Sequence, residues 1–384
     1  MQGQIPVAWD RAEGSYIYDK ADNKWIDFTS TIFVSNVGHG NKHIKEAVYE
    51  VLDKPLLHTY AYMHEKRAAY IESLLDFAGS PFEKAFLLSA GTEATEAALK
   101  LMRLNGQTYS KKKLGVVCIE GNYHGRTMGA QMMNSNSKQK KWIGFQDPHI
   151  YYLPFPYPWV CKEDEGSDFF NRSMNTLIEK GLNPKRDLCG FMLETFQGWG
   201  AVFYPKSYVK AIKYFCVEHN ILLTFDEMQA GFARTGKRFG YQHYNVNPDL
   251  ICIGKGMASG LPLSGVLGTK KVMDLPEVGN MSSTHSANPL SCAAGLATLE
   301  EITQKNLVKE SERKGKILHK MLKALQTDHP NIIKYVLGKG LIASILIQDP
   351  DGKNDNIFTS KLVEACFCRG LLLVHTGRES IKLA

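Results

Sequence analysis

Residues 205–229, PKSYVKAIKYFCVEHNILLTFDEMQ, decide the fold. Pro205–His219 reads as a helix, with Pro205 suited to a first helical turn, where its missing N–H costs nothing. Ile221–Phe225 then reads as a short apolar strand, and Asp226 stands where that strand ends. The same rhythm extends in both directions. Strand patterns fall at Ala85–Ser89, Gly115–Ile119, Phe191–Leu193, Leu250–Ile253 and Leu263–Leu267, and a helical pattern runs over Thr92–Leu104 through Ala94, Ala97, Ala98, Leu101 and Met102. Strand, helix, strand at this spacing predicts an α/β fold with a mainly parallel sheet covered on both faces.

The ends differ from the middle. Tyr16–Phe28 reads as a hairpin turning at Ala21-Asp22-Asn23. Beyond residue 300 come an amphipathic helix (Leu307–Leu325), a strand (Leu341–Ile347) and a helix ending near Gly370. These segments predict a small α+β domain built from both termini, residues 1–44 and 301–384, around a large domain at 45–300.

Composition bounds the function. At 384 residues, 44% hydrophobic and 22% charged, the chain is an ordinary globular sequence able to bury a large core. The net charge of +7 is modest, and its densest clusters, Lys111–Lys113 and Lys138–Lys141, read as solvated loops, so no nucleic-acid partner is expected. No stretch approaches the roughly 18 apolar residues of a membrane span, and Met1–Asp10 lacks the pattern of a secretory signal. Eight scattered cysteines suit buried thiols in a reducing, cytoplasmic setting better than a disulfide framework. Neighbours two apart on a helix face apart, so the pair Cys366/Cys368 is a poor metal site.

Four short elements carry chemistry, and ligands of open parallel sheets bind outside the carboxyl ends of the strands. Ser89-Ala-Gly91-Thr92-Glu-Ala94 puts a glycine and a hydroxyl at a helix start, which suits a phosphate; the alternative is that Ser89 or Thr92 is only an N-cap. Asn122-Tyr123-His124-Gly-Arg126 offers a ring for stacking and a guanidinium for a carboxylate, or else a plain turn. Asp226, at the end of an apolar strand, needs a partner: a pyridinium N–H, a helix cap or Arg234. Lys255 lies between two glycines just past an apolar run, and partial burial there lowers an amine's pKa towards nucleophilic use; the alternative is a phosphate-binding loop lysine.

Together the motifs Ser-x-Gly-Thr-Glu-Ala, Tyr-His-Gly-Arg-Thr, Asp-Glu-x-Gln-x-Gly-Phe-x-Arg-Thr-Gly, Gly-Lys-Gly and Thr-His-Ser-Ala-Asn-Pro resemble the class III aminotransferases of fold type I, enzymes dependent on pyridoxal 5'-phosphate (PLP). The resemblance runs from about Pro6 to the last residue. It implies a seven-stranded large domain and a homodimer with its sites at the interface. It implies that Lys255 holds the cofactor as a Schiff base and shuttles a proton, and that Asp226 pairs with the pyridine nitrogen. Gln229 would bond the phenolic oxygen, Tyr123 and Met228 would flank the ring, and His124 and Glu194 would also lie against the cofactor. Gly91 and Thr92 would hold the phosphate, with Thr284 reaching that of the neighbouring subunit. Ile32 would line the pocket and Arg126 would bind a distal carboxylate. The implied reaction moves an amino group from an ω-amino acid or related amine to a 2-oxo acid; epimerase, aminomutase and decarboxylase chemistries share the fold type, and a non-catalytic phosphate-binding protein is the remaining alternative.

Two departures bear on substrate. The family's second motif glutamate is here Trp199, in Glu194-Thr-Phe-Gln-Gly-Trp199-Gly-Ala201, and the arginine it neutralises is replaced by Lys382. A lysine attracts a carboxylate as a point charge without the planar fork, and Arg378 is a nearby alternative. Ala384 also falls where the family continues, so further C-terminal sequence is expected.

Overall fold

The computed structural model describes residues 7–54, 56–60, 62–349 and 351–384, so the first six residues of the Met1–Asp10 stretch lie outside it. Seven strands form the central sheet, in the spatial order Lys84–Leu88, Ser264–Gly268, Leu250–Ile253, Leu222–Asp226, Leu188–Glu194, Gly115–Ile119, Ile150–Leu153. Ser264–Gly268 runs antiparallel to both of its neighbours, and every other pairing is parallel.

The strands are apolar at nearly every position because both faces are covered. Leu223, Phe225, Ile251 and Ile253 enter one core, while Leu222, Leu250 and Cys252 enter the other, opposite core. That is the period-two alternation of a pleated strand. Helix Gly91–Gln107 packs on the second face through Ala94, Ala98, Leu101 and Met102, all fully buried. Helix Lys206–His219 packs on the first through Tyr208, Val209 and Ile212. Pro205 stands one residue before that helix, with extended backbone, rather than inside its first turn.

Sequence from both termini is physically joined. Leu371–Leu372 pairs in parallel with Lys24–Asp27, completing a four-stranded sheet with Trp9–Glu13 and Tyr16–Asp19. The Trp25 indole stacks on Phe367 and donates to its carbonyl at 2.9 Å. A second four-stranded sheet contains Ile333–Lys339, Ile342–Ile347, Ser380–Leu383 and Val374–His375. Its strand Ser380–Leu383 is buried at every position.

The basic cluster at 111–113 is not uniformly solvated. Lys113 is 1% exposed, and its ammonium donates to the carbonyls of Lys185 and His219, satisfying a helix C-terminus with both a hydrogen bond and a favourable charge. No helix among the described residues is long and apolar enough to cross a membrane.

Candidate active site

Strand register builds the site. Asp226 pairs laterally with Glu194 on one side and Cys252 on the other. Lys255 follows Cys252 by three residues, beyond the same edge of the sheet. Three titratable side chains from adjacent strands therefore converge at the carboxyl ends, beside the N-terminus of helix Gly91–Gln107.

They border a cavity of about 310 Å³. Its walls include Gly91 and Thr92 from the helix start, and Tyr123, His124 and Arg126 from the loop after Gly115–Ile119. Glu194, Asp226, Met228, Gln229 and Lys255 are the other residues anticipated from sequence that line it. Gly125, Thr195, Phe196 and Ala230 also line it; their only sequence signal was adjacency to the quoted motifs.

Asp226 is buried and held on both oxygens. Oδ1 accepts the Met228 N–H at 3.0 Å and Oδ2 faces His124 Nδ1 at 2.9 Å. His124 is itself fixed: its N–H donates to Asn134 Oδ1 and its carbonyl accepts from Thr95. The His124 Nε2 is buried without a partner among the described residues. Arg234 pairs with Asn36 Oδ1 at 2.7 Å, so the arginine partner considered for Asp226 is excluded by geometry.

Burial dominates the electrostatics. Glu194 is pushed up to about 7, chiefly by desolvation, although it accepts backbone N–H groups from Tyr123 and Gly198. Glu227 is likewise raised to about 7 by burial, despite bonds from the Thr195 hydroxyl and the Gly240 and Tyr241 N–H groups. Lys255 is lowered by burial, against the opposing pull of the Asp226 and Glu194 charges. Its backbone has φ +45°, a left-handed conformation that a lysine adopts at some cost.

The helix start is not capped by Ser89 or Thr92. The Glu93 carboxylate instead takes the Ser89 and Ala90 N–H groups, and Thr92 Oγ1 pairs with Thr127 Oγ1 at 2.6 Å. Gly91 is required for close approach: a Cβ there would meet Met228 Sδ at 2.9 Å. These features fit PLP: a helix N-terminus for its phosphate, a buried carboxylate for its ring nitrogen, and a desolvated amine for its aldehyde.

Four anticipated residues lie outside the cavity. Thr284 is exposed. Ile32 is 53% exposed, in a run from Ser30 to Phe33 with positive φ throughout. Trp199 packs beside Arg378, whose guanidinium carbon sits 3.7 Å from the indole centroid, and its N–H donates to Gln197 Oε1 at 2.7 Å. Lys382 is buried, donating to the Gly198 carbonyl and, at 2.7 Å, to Gln229 Oε1.

Known proteins are similar to this chain along nearly its whole length. A probable 4-aminobutyrate aminotransferase of Bacillus subtilis is 34% identical over 378 residues, covering 96% of this chain and 85% of that one. An alanine/serine racemase of Pyrococcus horikoshii is 31% identical over 384 residues, covering 97% and 80%. A Bacillus anthracis aminotransferase of known structure superposes with a TM-score of 0.90 at 25% identity, covering 100% of this chain and 91% of that one. The family model described as aminotransferase class III matches residues 1–384. With the lysine, the aspartate and the helix N-terminus converging on one cavity, that match places the chain in the class III aminotransferases, a PLP-dependent family.

Proposed function

We propose that this enzyme takes the amino group of an ω-amino acid or related carboxylate-bearing amine and delivers it to a 2-oxo acid, using PLP bound at Lys255. The convergence of Lys255 and Asp226 on one cavity carries this reading. When bound, the cofactor supplies an electron sink for the substrate carbon. The chain's residues do the rest. Lys255, its pKa lowered by burial so that more of the amine is unprotonated, is fitted both to attack a carbonyl carbon and to move a proton at the substrate carbon. Asp226, backed by His124, would hold a proton on the ring nitrogen. Gly91 and Thr92 would take the phosphate, and Tyr123 and Met228 would enclose the ring. Arg126, exposed at the cavity wall with its guanidinium 5.6 Å from the Tyr123 ring centroid, would receive the distal carboxylate.

The working assembly would be a homodimer in which Thr284 completes the partner's phosphate site. Tyr62 and Met63, 81% and 90% exposed, fit a surface covered by a second copy. A small domain drawn from both ends is supported by the pairing of the two termini in one sheet, although positions 44 and 300 each fall within a helix, Lys42–Leu52 and Pro289–Gln304; the free, mostly buried cysteines suit a reducing compartment. A second reading, racemisation or epimerisation, is favoured by the racemase relative.

The test is direct. Protein reconstituted with PLP should show a visible absorption band that Lys255→Ala removes. A panel of ω-amino acids with pyruvate or 2-oxoglutarate should yield alanine or glutamate. No visible band under saturating cofactor defeats the cofactor assignment. Inversion of amino-acid stereochemistry without any transfer favours the second reading.

A further inference from the structure

Lys382 reaches the site from strand Ser380–Leu383, which is paired with both Ile342–Ile347 and Val374–His375 and cannot swing freely. The side chain is 2% exposed. Its ammonium meets three partners: the Gly198 carbonyl oxygen, Gln229 Oε1 at 2.7 Å, and the Phe33 ring, whose centroid is 4.1 Å away. Two acceptors and one aromatic face use the directions an ammonium has to offer. A substrate carboxylate would have to displace one of them.

The contact to Gln229 has a chemical consequence. The charged form of a lysine donates and never accepts, so below about pH 7, the value to which burial lowers Lys382, it selects which end of an amide it will face. With Oε1 turned to Lys382, the Nε2 donor is left for the other side. On that side stands Gly198, where a Cβ would fall 2.6 Å from Gln229 Nε2 and 2.6 Å from Glu194 Oε1. The amide stands between a glycine that leaves it room and a lysine that fixes its polarity, and it lines the same cavity as Asp226 and Lys255.

We propose that Lys382 is a positioning residue that fixes Gln229 as a hydrogen-bond donor to the cofactor's ring oxygen, and that it does not anchor the substrate carboxylate. This rests on the PLP reading above. It assigns carboxylate recognition to Arg126, because Arg378 is stacked on Trp199 and paired with Glu379. The charged groups around Lys382 are Glu194 and Lys255, with Asp226 and His124 beyond them, so any change at Lys382 is read against those four.

The experiment compares reconstituted wild type with Lys382→Met, Gln229→Met and the double variant. The readouts are the pH dependence of the cofactor's visible band, the affinity of apoprotein for PLP, and KM for the carboxylate-bearing donor. Lys382→Met should move the spectral midpoint by about one pH unit and weaken PLP by about tenfold, the scale of one charge-assisted hydrogen bond. Gln229→Met should do the same, and the double variant should add nothing further, while KM in Lys382→Met stays within about twofold of wild type. Unchanged spectrum and PLP affinity, with KM raised about tenfold, would make Lys382 a carboxylate anchor and overturn the proposal. If Lys382→Met does not fold, Gln229→Glu decides: it keeps an acceptor for Lys382 but offers no donor, so an unshifted spectrum refutes the claim. Absence of any visible band in wild type is a separate outcome that removes the cofactor reading as well.

Discussion

Replacing Lys255 with methionine should stabilise the cofactor-free protein. Methionine keeps the length and the apolar stem, retains the same left-handed backbone, and removes the amine. Among the described residues the only favourable influences on the Lys255 charge are the Asp226 and Glu194 charges, and desolvation outweighs them, since the net shift is downward from 10.5. Lys255 forms no salt bridge among the described residues, so its removal breaks no buried pair; desolvation costs a buried ion several kcal/mol, and net of the two attractive charges about 1–4 kcal/mol is left to gain. With an unfolding entropy of roughly 2.1 cal/mol/K per residue, the 384-residue chain loses or gains about 1 °C in Tm per kcal/mol. The expected gain is therefore about 1–5 °C in scanning calorimetry of apoprotein near neutral pH. The sign has a pH signature. Lys255 in the folded state binds its proton less tightly than in the unfolded chain, so its penalty is full below the folded value and fades as pH rises towards 10.5. The advantage of the methionine variant should shrink over the same interval. Saturating PLP should reverse the order, because wild type gains about 2.7 kcal/mol at a hundredfold excess over Kd while the variant lacks the bond-forming amine. An apoprotein Tm equal to or below wild type would refute the claim that desolvation dominates at Lys255.

Gly198→Ala places a methyl 2.6 Å from both Gln229 Nε2 and Glu194 Oε1; it should cost about 1–3 kcal/mol and weaken PLP severalfold, and an unchanged cofactor titration would refute that placement of the amide. His243, held near 4 by burial and the Lys339 charge, places Nε2 at 3.1 Å from both the Thr235 carbonyl oxygen, which can only accept, and the Thr235 hydroxyl. Its folded value lies below the ordinary 6.5, so stability is lost as pH falls from 6.5 through about 4. His243→Gln should flatten that fall by roughly 1–2 kcal/mol after allowance for solvent, seen in Tm measured across the interval.

The large sheet was legible because its strands are buried on both faces. Gly115–Ile119 and Leu250–Ile253 stand where the apolar runs placed them, and neighbouring boundaries moved by one to three residues. Ile333–Lys339 and Ser380–Leu383 were missed for opposite reasons. The first is mostly half-buried and reads as a mixed surface segment. The second, Ser-Ile-Lys-Leu, is fully buried, yet alternates polar with apolar residues like a solvent-facing strand. Its polar members are satisfied largely by distant partners: Ser380, also paired with the Thr376 hydroxyl, donates to the Trp199 carbonyl, and Lys382 to Gly198 and Gln229. A pattern of this kind cannot reveal burial, because the groups that make burial tolerable come from segments far away in the chain.

The same limit separates the two ends of the active site. Lys255, Asp226, Gly91 and Tyr123 follow strands of one sheet, so the rule that ligands lie beyond carboxyl ends was enough to bring them together. Trp199, Arg378 and Lys382 belong to a different geometry. A sequence reading counts two cations in this region that could meet a carboxylate, Arg378 and Lys382, beside a tryptophan standing in a glutamate's place. In space the cations are consumed by neighbours: Arg378 by the Trp199 face and Glu379, Lys382 by Gln229, Gly198 and Phe33. The sequence lists the cations, but folding decides which of them stay available. What a cation can bind depends on what it already holds, so in the proposed reading Arg126, the exposed one on the cavity wall, would receive the carboxylate while the buried lysine would orient an amide.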